Sequence, residues 1–476
     1  MIESGWGQIP VVDDEGRMVG IVTRTDLLKL WGDQTPPERD SVAELMEERL
    51  PPGLISLQRR IGQVAARMGF PLYTVGGFTR DLLLNRPNFD VDFVVEGDAV
   101  ALARELAHEF GGRVRPHRRF GTAKWIRDEE AFAAGRTLPD DTPPSLDFAT
   151  ARTEFYEAPT LLPVVERSSI KLDLHRRDFT INTLAIRLDG KHWGELLDFY
   201  GGRKDLEDGV IRVLHSLSFI EDPTRILRAI RFEQRFGFTI EPRTAELMVE
   251  AVDLLRRVSG PRIRHELELI LQEAAPEKAL QRLHEINVLR EIDEELSWNE
   301  RLAQKFRELR QEIADQPQLP ASIERLYFAL WLYDLTPAAH KRILDRLRPS
   351  SATVKLIREG ERLRARSHQL LQLELPPSEL DRLLHKFSDA ILLVARVATD
   401  DPLLRERLRF YQERLRPVEI HVTGADLRQW GVKPGPIYRR VFQQVRAAVL
   451  DGRIHTPEEE LALARRILRK EGYLVD

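Results

Sequence analysis

The chain contains no cysteine in 476 residues. That absence removes a disulfide scaffold, thiolate zinc sites, a thiol nucleophile and cysteine-held iron–sulfur clusters, and it accords with a reducing compartment. Long apolar runs are missing too. No stretch approaches 18 uncharged apolar residues, and the opening MIESGWGQIP has neither the basic nor the apolar region of a leader. A cytoplasmic protein with no membrane partner is expected. Lysine is scarce, 12 of 72 basic residues, so arginine supplies nearly all the positive charge, and guanidinium suits bidentate contact with phosphates and base edges. With a net charge of −4, the molecule as a whole does not advertise a polyanion partner. What remains, 42% hydrophobic and 31% charged residues with 28 Gly and 28 Pro, describes a globular chain. At roughly 150 residues per domain, its length suggests about three.

Residues 9–30, IPVVDDEGRMVGIVTRTDLLKL, read as strand, tight turn at Asp13 to Gly16, strand, and a helix capped near Thr23 or Thr25. The polar, Pro-rich DQTPPERD (33–40) reads as a linker. A helical period at Leu54, Leu57, Ile61, Val64, Ala65 and Met68 leads into a short apolar strand at 71–75. Residues 72–190 mix strands and helices, and after about 205 the period is almost wholly 3.6. The fold class expected is α+β, a mixed α/β head with a small sheet followed by a long all-α part. The expected divisions are 1–35, a linker at 36–52, the head at 53–190, a neck at 191–260 and a helical body and tail at 261–476.

In YTVGGFTRDLLLNRPNFDVDFVV (73–95), Gly76-Gly77 directly before a helix lets backbone amides approach a phosphate closely. Asp90 and Asp92 alternate at the head of the strand Phe93–Val95, so both project on one face. Two like charges side by side call for a cation between them. Asp147, in LDFATAR, sits in a second strand-like run and supplies a third carboxylate. Three carboxylates suit two Mg²⁺, one activating a hydroxyl and the other steadying a triphosphate and its leaving pyrophosphate. Further on, HRRDFTIN (175–182) combines arginines for phosphate oxygens with Asp178, a possible acceptor for a ribose 2′-hydroxyl. In EDPTR (221–225), Asp222 and Arg225 lie three apart at a helix start. They can act as a cap and a solvated charge, or as an acceptor–donor pair that fits the edges of cytosine and adenine and rejects uracil and guanine. Arg225, Arg228, Arg231 and Arg235 fall within one 120° arc opposite Ile226, Leu227 and Ile230, giving a helix with one packed and one basic face. Residues 400–476 carry 15 Lys and Arg against 12 Asp and Glu, and Gly435-Pro436 reads as a helix start before Arg439 and Arg440.

In their order, GGFTRD…DVD, LDFATAR, HRRDFTINTLAI and EDPTRILRAIRF resemble the motifs of the polymerase-β-type nucleotidyltransferases, and more closely the class II tRNA nucleotidyltransferase and bacterial poly(A) polymerase family. They span about 72–236, with weaker similarity beyond. The resemblance implies catalytic, metal-holding roles for Asp90, Asp92 and Asp147. It implies nucleotide contacts from Gly76, Gly77, Arg80, Arg177, Asp178, Asn182, Asp222, Arg225 and Arg228, with Asp178 on the ribose. RNA contacts are expected from Arg231, Arg235, Lys433, Arg439 and Arg440, and a helical body and tail that grip tRNA. The implied activity is template-independent addition of nucleotides to the 3′ end of tRNA from ATP, with CTP as a further donor, by A-adding or CCA-adding chemistry. CC-only addition is disfavoured by the polar insertion Asp128 to Pro144. Poly(A) addition to other RNA ends, or a non-catalytic RNA-binding adenylate sensor, are the competing readings. The first thirty residues resemble the second half of a CBS domain, in which Thr23 and Asp26 would touch an adenosine nucleotide; a packing appendage is the alternative. A CBS segment beside the head favours A-addition.

Overall fold

The computed structural model describes residues 8–13, 15, 17–23, 40–117, 120–127, 143–155, 164–314 and 321–474. The chain divides into two compact units, Met1–Val258 and Ser259–Asp476. The first begins with an antiparallel hairpin, β1 (Gln8–Val12) and β2 (Met18–Thr23), whose turn is tied by the Asp13 carboxylate accepting from the backbone N–H of Glu15 and Arg17. The strand–turn–strand expectation is met. The expected helix after it, with Thr25 and Asp26, and most of the Pro-rich stretch lie outside the described residues.

The linker expected over 36–52 is shorter than its composition suggested. Asp40–Ser41 forms an edge strand, β3, and Ala43–Arg49 a helix. Val42, Met46 and Leu50 recur at a four-residue spacing and are all buried, so this segment packs instead of spanning open solvent. The helix Pro52–Arg67 buries Leu54, Leu57, Ile61, Val64 and Ala65, as its period predicts.

The remaining strands in chain order are β4 (Leu72–Val75), β5 (Asp92–Val95), β6 (Arg113–His117), β7 (Thr122–Ile126), β8 (Ser145–Thr150), β9 (Arg152–Phe155), β10 (Val164–Arg167), β11 (Ala185–Arg187), β12 (Glu195–Leu197), β13 (Val210–Ile211) and β14 (Thr239–Ile240). Eight of them form one sheet in the order β3-β12-β11-β4-β5-β8-β7-β6. Since β12 belongs to it, the sheet runs past the expected head boundary at 190; Leu196 and Leu197 are buried and carry the core there. Every pair in this sheet is antiparallel except β5 with β8, which align Asp92 with Asp147, Phe93 with Phe148 and Val94 with Ala149.

That register sorts the faces. Phe93 and Phe148 stack on one, ring centroids 5.0 Å apart. On the other, Tyr73, Val75, Val94 and Ala185 pack against Ile170 and Leu174 of the helix Ile170–His175. The second unit is helical throughout its described residues, from Gly260–Leu271 to Pro457–Lys470. Its aromatic centre includes Trp298, Phe306 and Tyr327, and a separate cluster joins Leu427, Val441, Val445, Ala464 and Leu468. The α+β head followed by an all-α part is therefore as expected. Among the described residues no helix is long and apolar enough to cross a membrane.

Candidate active site

One end of the large sheet gathers the chemistry. Strand β4 ends at Val75 and the chain turns at Gly76, whose backbone (φ 67°, ψ −126°) is one that L side chains rarely adopt. A Cβ on Gly76 would stand 2.7 Å from Arg177 Nη1, so the missing side chain is what lets that guanidinium lie against the turn. The next strand, β5, starts at Asp92. Asp90 sits two residues earlier, in the loop, where its N–H donates to Asn88 Oδ1 at 3.0 Å. Val91 between them is buried while Asp90 and Asp92 are exposed, so the expected alternation holds although the strand is shorter.

Asp92, Asp147 and Lys124 occupy consecutive in-register positions on β5, β8 and β7, one lateral row across the sheet. Lys124 Nζ lies 2.9 Å from Asp147 Oδ2. Asp92 keeps an accessible face, yet the atoms crowded around the end of the sheet partly desolvate its carboxyl and push it up; Asp90 and Asp147 add to the rise, while Arg177 and Lys124 oppose it. Crowding of like charge in this way marks the row as a candidate functional site. Among the described residues, no three His, Cys, Asp or Glu side chains converge as a metal-binding group. The fit to a divalent ion rests instead on the hard oxygen donors of Asp92 and Asp147, and on the Lys124 ammonium, a cation already drawn to that row. The sequence reading missed Lys124. Its signal was present in TAKWI, where alternation buries Ala123 and Trp125 and turns Lys124 to the opposite face.

Behind this row runs a buried polar network. Arg80 donates from Nε to Asp81 Oδ1 at 2.8 Å and from Nη1 to Asn182 Oδ1 at 2.7 Å; Asn182 Nδ2 donates to Asp178 Oδ1 at 2.9 Å. Asp178 also accepts from the N–H of Phe179 at 2.8 Å and pairs with Arg228 Nη2 at 2.7 Å. Burial alone would raise the Asp178 carboxyl, but the Arg228 charge, the Asn182 hydrogen bond and Arg225 together hold it below its usual range. These links join the helix Gly77–Leu83, the turn at 180–182 and the helix Thr224–Phe236. Asp173, another residue the sequence reading missed, is fully buried and accepts from Arg176 Nη2 at 2.8 Å and Arg177 Nη2 at 3.3 Å. Its signal was the three- and four-residue spacing to two arginines on one helical face.

The helix Thr224–Phe236 departs most from expectation. Arg225 and Arg231, placed by periodicity on an open basic face, are both buried, Arg228 is half-buried and only Arg235 is exposed. Arg225 donates to Ser218 Oγ at 2.6 Å, Ser218 O at 3.2 Å and Arg176 O at 2.8 Å, and Arg231 lies over the Phe232 ring at 4.7 Å. The reason is local. Carbonyls, an aromatic face and Asp178 offer these guanidiniums partners inside the fold, so both sides of the helix are covered and Arg231 is not an exposed RNA contact. Asp222 Oδ1 accepts from Thr224 N at 3.0 Å and Thr224 Oγ1 at 2.6 Å, one residue ahead of the helix N-cap, Pro223. In the second unit Lys433, Arg439 and Arg440 are exposed, and Arg440 pairs with Glu471.

A sequence model described as "Poly A polymerase head domain" matches residues 72–212, one described as "Probable RNA and SrmB- binding site of polymerase A" matches 237–298, and a CBS domain model matches 1–33. The chain is 31% identical to an A-adding tRNA nucleotidyltransferase of Halalkalibacterium halodurans over 90% of its own length and 95% of that relative's. It belongs to the tRNA nucleotidyltransferase and poly(A) polymerase family. Within that family it is also 36% identical, over 96% of its length, to an A-adding tRNA nucleotidyltransferase of Geobacter sulfurreducens. It spans only about half of that relative, 54% of its length. A solved CCA-adding enzyme in its apo form II superposes with a TM-score of 0.74 at 34% identity, covering 90% of this chain and 99% of that one. Polymerase-β-type nucleotidyltransferases of this kind generally use a divalent metal.

Proposed function

We propose that the chain adds AMP from ATP to the 3′ end of tRNA already ending in CC, releasing pyrophosphate. The observation that carries this is the in-register pair Asp92 and Asp147, flanked by Asp90 and standing beside the Gly76 turn on which Arg177 rests. With two Mg²⁺ bound by Asp90, Asp92 and Asp147, the ions would supply a more acidic attacking hydroxyl and a neutralised triphosphate. The residues of the chain do the rest. Arg177, fixed by Asp173, offers its guanidinium to phosphate oxygens where the glycine turn brings backbone close. Arg80, Asn182, Asp178 and Arg228 hold that turn against the helix that begins beside Asp222. There Asp222 and Arg225, clamped by Thr224, Ser218 and the Arg176 carbonyl, offer a rigid acceptor and donor for the exocyclic amine and ring nitrogen of adenine. Lys433, Arg439 and Arg440 give the second unit an exposed basic surface suited to the RNA backbone.

Addition of A, rather than of CCA or poly(A), is favoured by the A-adding relatives matched along nearly the whole chain and by the CBS segment at its start. The test is product sequencing after incubation with ATP and CTP and three tRNAs, ending in the discriminator base, in CC and in CCA. One A added to the CC end alone is the expected product. Synthesis of CCA on the discriminator would make the chain CCA-adding, a ladder of A on every RNA would make it a poly(A) polymerase, and no incorporation would remove the catalytic reading.

A further inference from the structure

One cavity is lined by residues that none of the roles above uses. With a volume of about 310 Å³, it opens between the end of the helix Ala43–Arg49 and the loop that carries Asp90; Arg49, Leu82, Asn85, Arg86, Asn88 and Phe89 line it. Phe89 is 47% exposed, and its ring makes no aromatic contact among the described residues. Phe89 is thus an accessible aromatic face on the rim of the cavity, one residue before Asp90, on which a planar group can stack. Arg49 spends one of its five N–H donors on Leu82 O, at 3.0 Å. Arg86 donates to Arg235 O at 3.3 Å and lies 4.8 Å from the Phe236 ring centre. Both guanidiniums are thus held in place from behind with donors to spare, and Glu48, also on the lining, leaves the cavity with a surplus of one positive charge.

We infer that this cavity seats a nucleotide of the RNA acceptor strand just upstream of its 3′ end, the base lying on Phe89 and its phosphodiester between Arg49 and Arg86. The combination of an aromatic platform with arginines is how single strands are held without a sequence code. Consecutive Cα atoms are about 3.8 Å apart, so Phe89 stands one step along the chain from Asp90, and the seat lies against the loop that carries that carboxylate. The seat therefore positions the attacking strand and does not hold the incoming nucleotide. It rests on the nucleotide-adding reading above.

A free nucleoside triphosphate shares the chemistry of base plus phosphate, and the test separates the two sources. Steady-state kinetics on the full chain would compare the parent, Phe89→Ala and Phe89→Tyr, varying tRNA ending in CC at saturating ATP and then ATP at saturating tRNA. Loss of one stacked base should raise KM for tRNA roughly tenfold in Phe89→Ala, with KM for ATP unchanged, and Phe89→Tyr should return it to the parent value. Phe89 is a loop residue, so thermal unfolding of Phe89→Ala should match the parent. Unchanged KM for tRNA, or a rise in KM for ATP instead, would overturn the seat while leaving the catalytic assignment standing. A parent that adds nothing to any RNA end would sink the catalytic assignment first.

Discussion

Replacing Asp178 with Asn separates a structural from a substrate-binding carboxylate. The side chain is 4% exposed and its oxygens face Phe179 N, Asn182 Nδ2 and Arg228 Nη2 at 2.8, 2.9 and 2.7 Å. The amide keeps the shape but removes the charge that answers Arg228. Breaking a buried ion pair from one side costs about 3–5 kcal/mol, and the lower end applies because Arg228 keeps 35% of its side chain in water. About 3 kcal/mol corresponds to roughly 6–12 °C in a unit of this size, read by calorimetry or urea titration. The sign with pH follows from the depressed carboxyl: its stabilisation is present above the ordinary aspartate range and is lost as pH falls through the lowered folded value. Asp178→Asn should therefore flatten part of the acid limb of the stability curve. Adding Arg228→Met should recover part of the loss, because no orphan charge is left behind. An unchanged Tm together with lost discrimination between ATP and dATP would refute this reasoning and return Asp178 to the ribose role that its motif suggested.

Asp92→Asn and Asp147→Asn should each bring incorporation of labelled ATP below detection. Asp92→Asn should also raise Tm slightly in metal-free buffer, since it removes the repulsion that Asp90 and Asp147 exert on a partly desolvated carboxylate; a lower Tm would contradict that. Gly76→Ala should cost about 1–3 kcal/mol from its backbone conformation alone and displace Arg177, seen as a weaker affinity for ATP by equilibrium binding. Asp222→Ala should cost about 1 kcal/mol, because it removes the acceptor for Thr224 N and Thr224 Oγ1. Arg225→Ala should cost about 2–4 kcal/mol, because it strips partners from Ser218 and the Arg176 carbonyl. If the pair also reads the base, the ratios of kcat/KM among the four NTPs will narrow in both variants, and parental ratios would place base choice elsewhere.

The site's outline was legible in the sequence, whereas its interior was not. Gly76, Asp90, Asp92 and Asp147 could be read because strand alternation and a glycine before a helix are local rules, and the structure places these residues at one end of the sheet. Arg225 and Arg231 were misplaced because helical periodicity ranks arginine as outward-facing, while their partners, Ser218, the Arg176 carbonyl and the Phe232 ring, depend on how the helix is enclosed. Lys124 falls between these cases. Alternation gives its face, but its salt bridge to Asp147 depends on the β7–β8 register, which sequence alone does not fix.

Strands β7 and β8 are neighbours joined at the end where Asp147 stands, and Arg127 N donates to Pro144 O at 3.0 Å, closing the junction. Whatever the chain does between those two residues, its ends meet in a fixed clasp. Lengthening a closed segment is inexpensive, about 0.6 kcal/mol for each doubling. This junction is thus a natural port for inserted sequence. A grafted peptide or reporter could be spliced between Arg127 and Pro144 with the carboxylate row left in register.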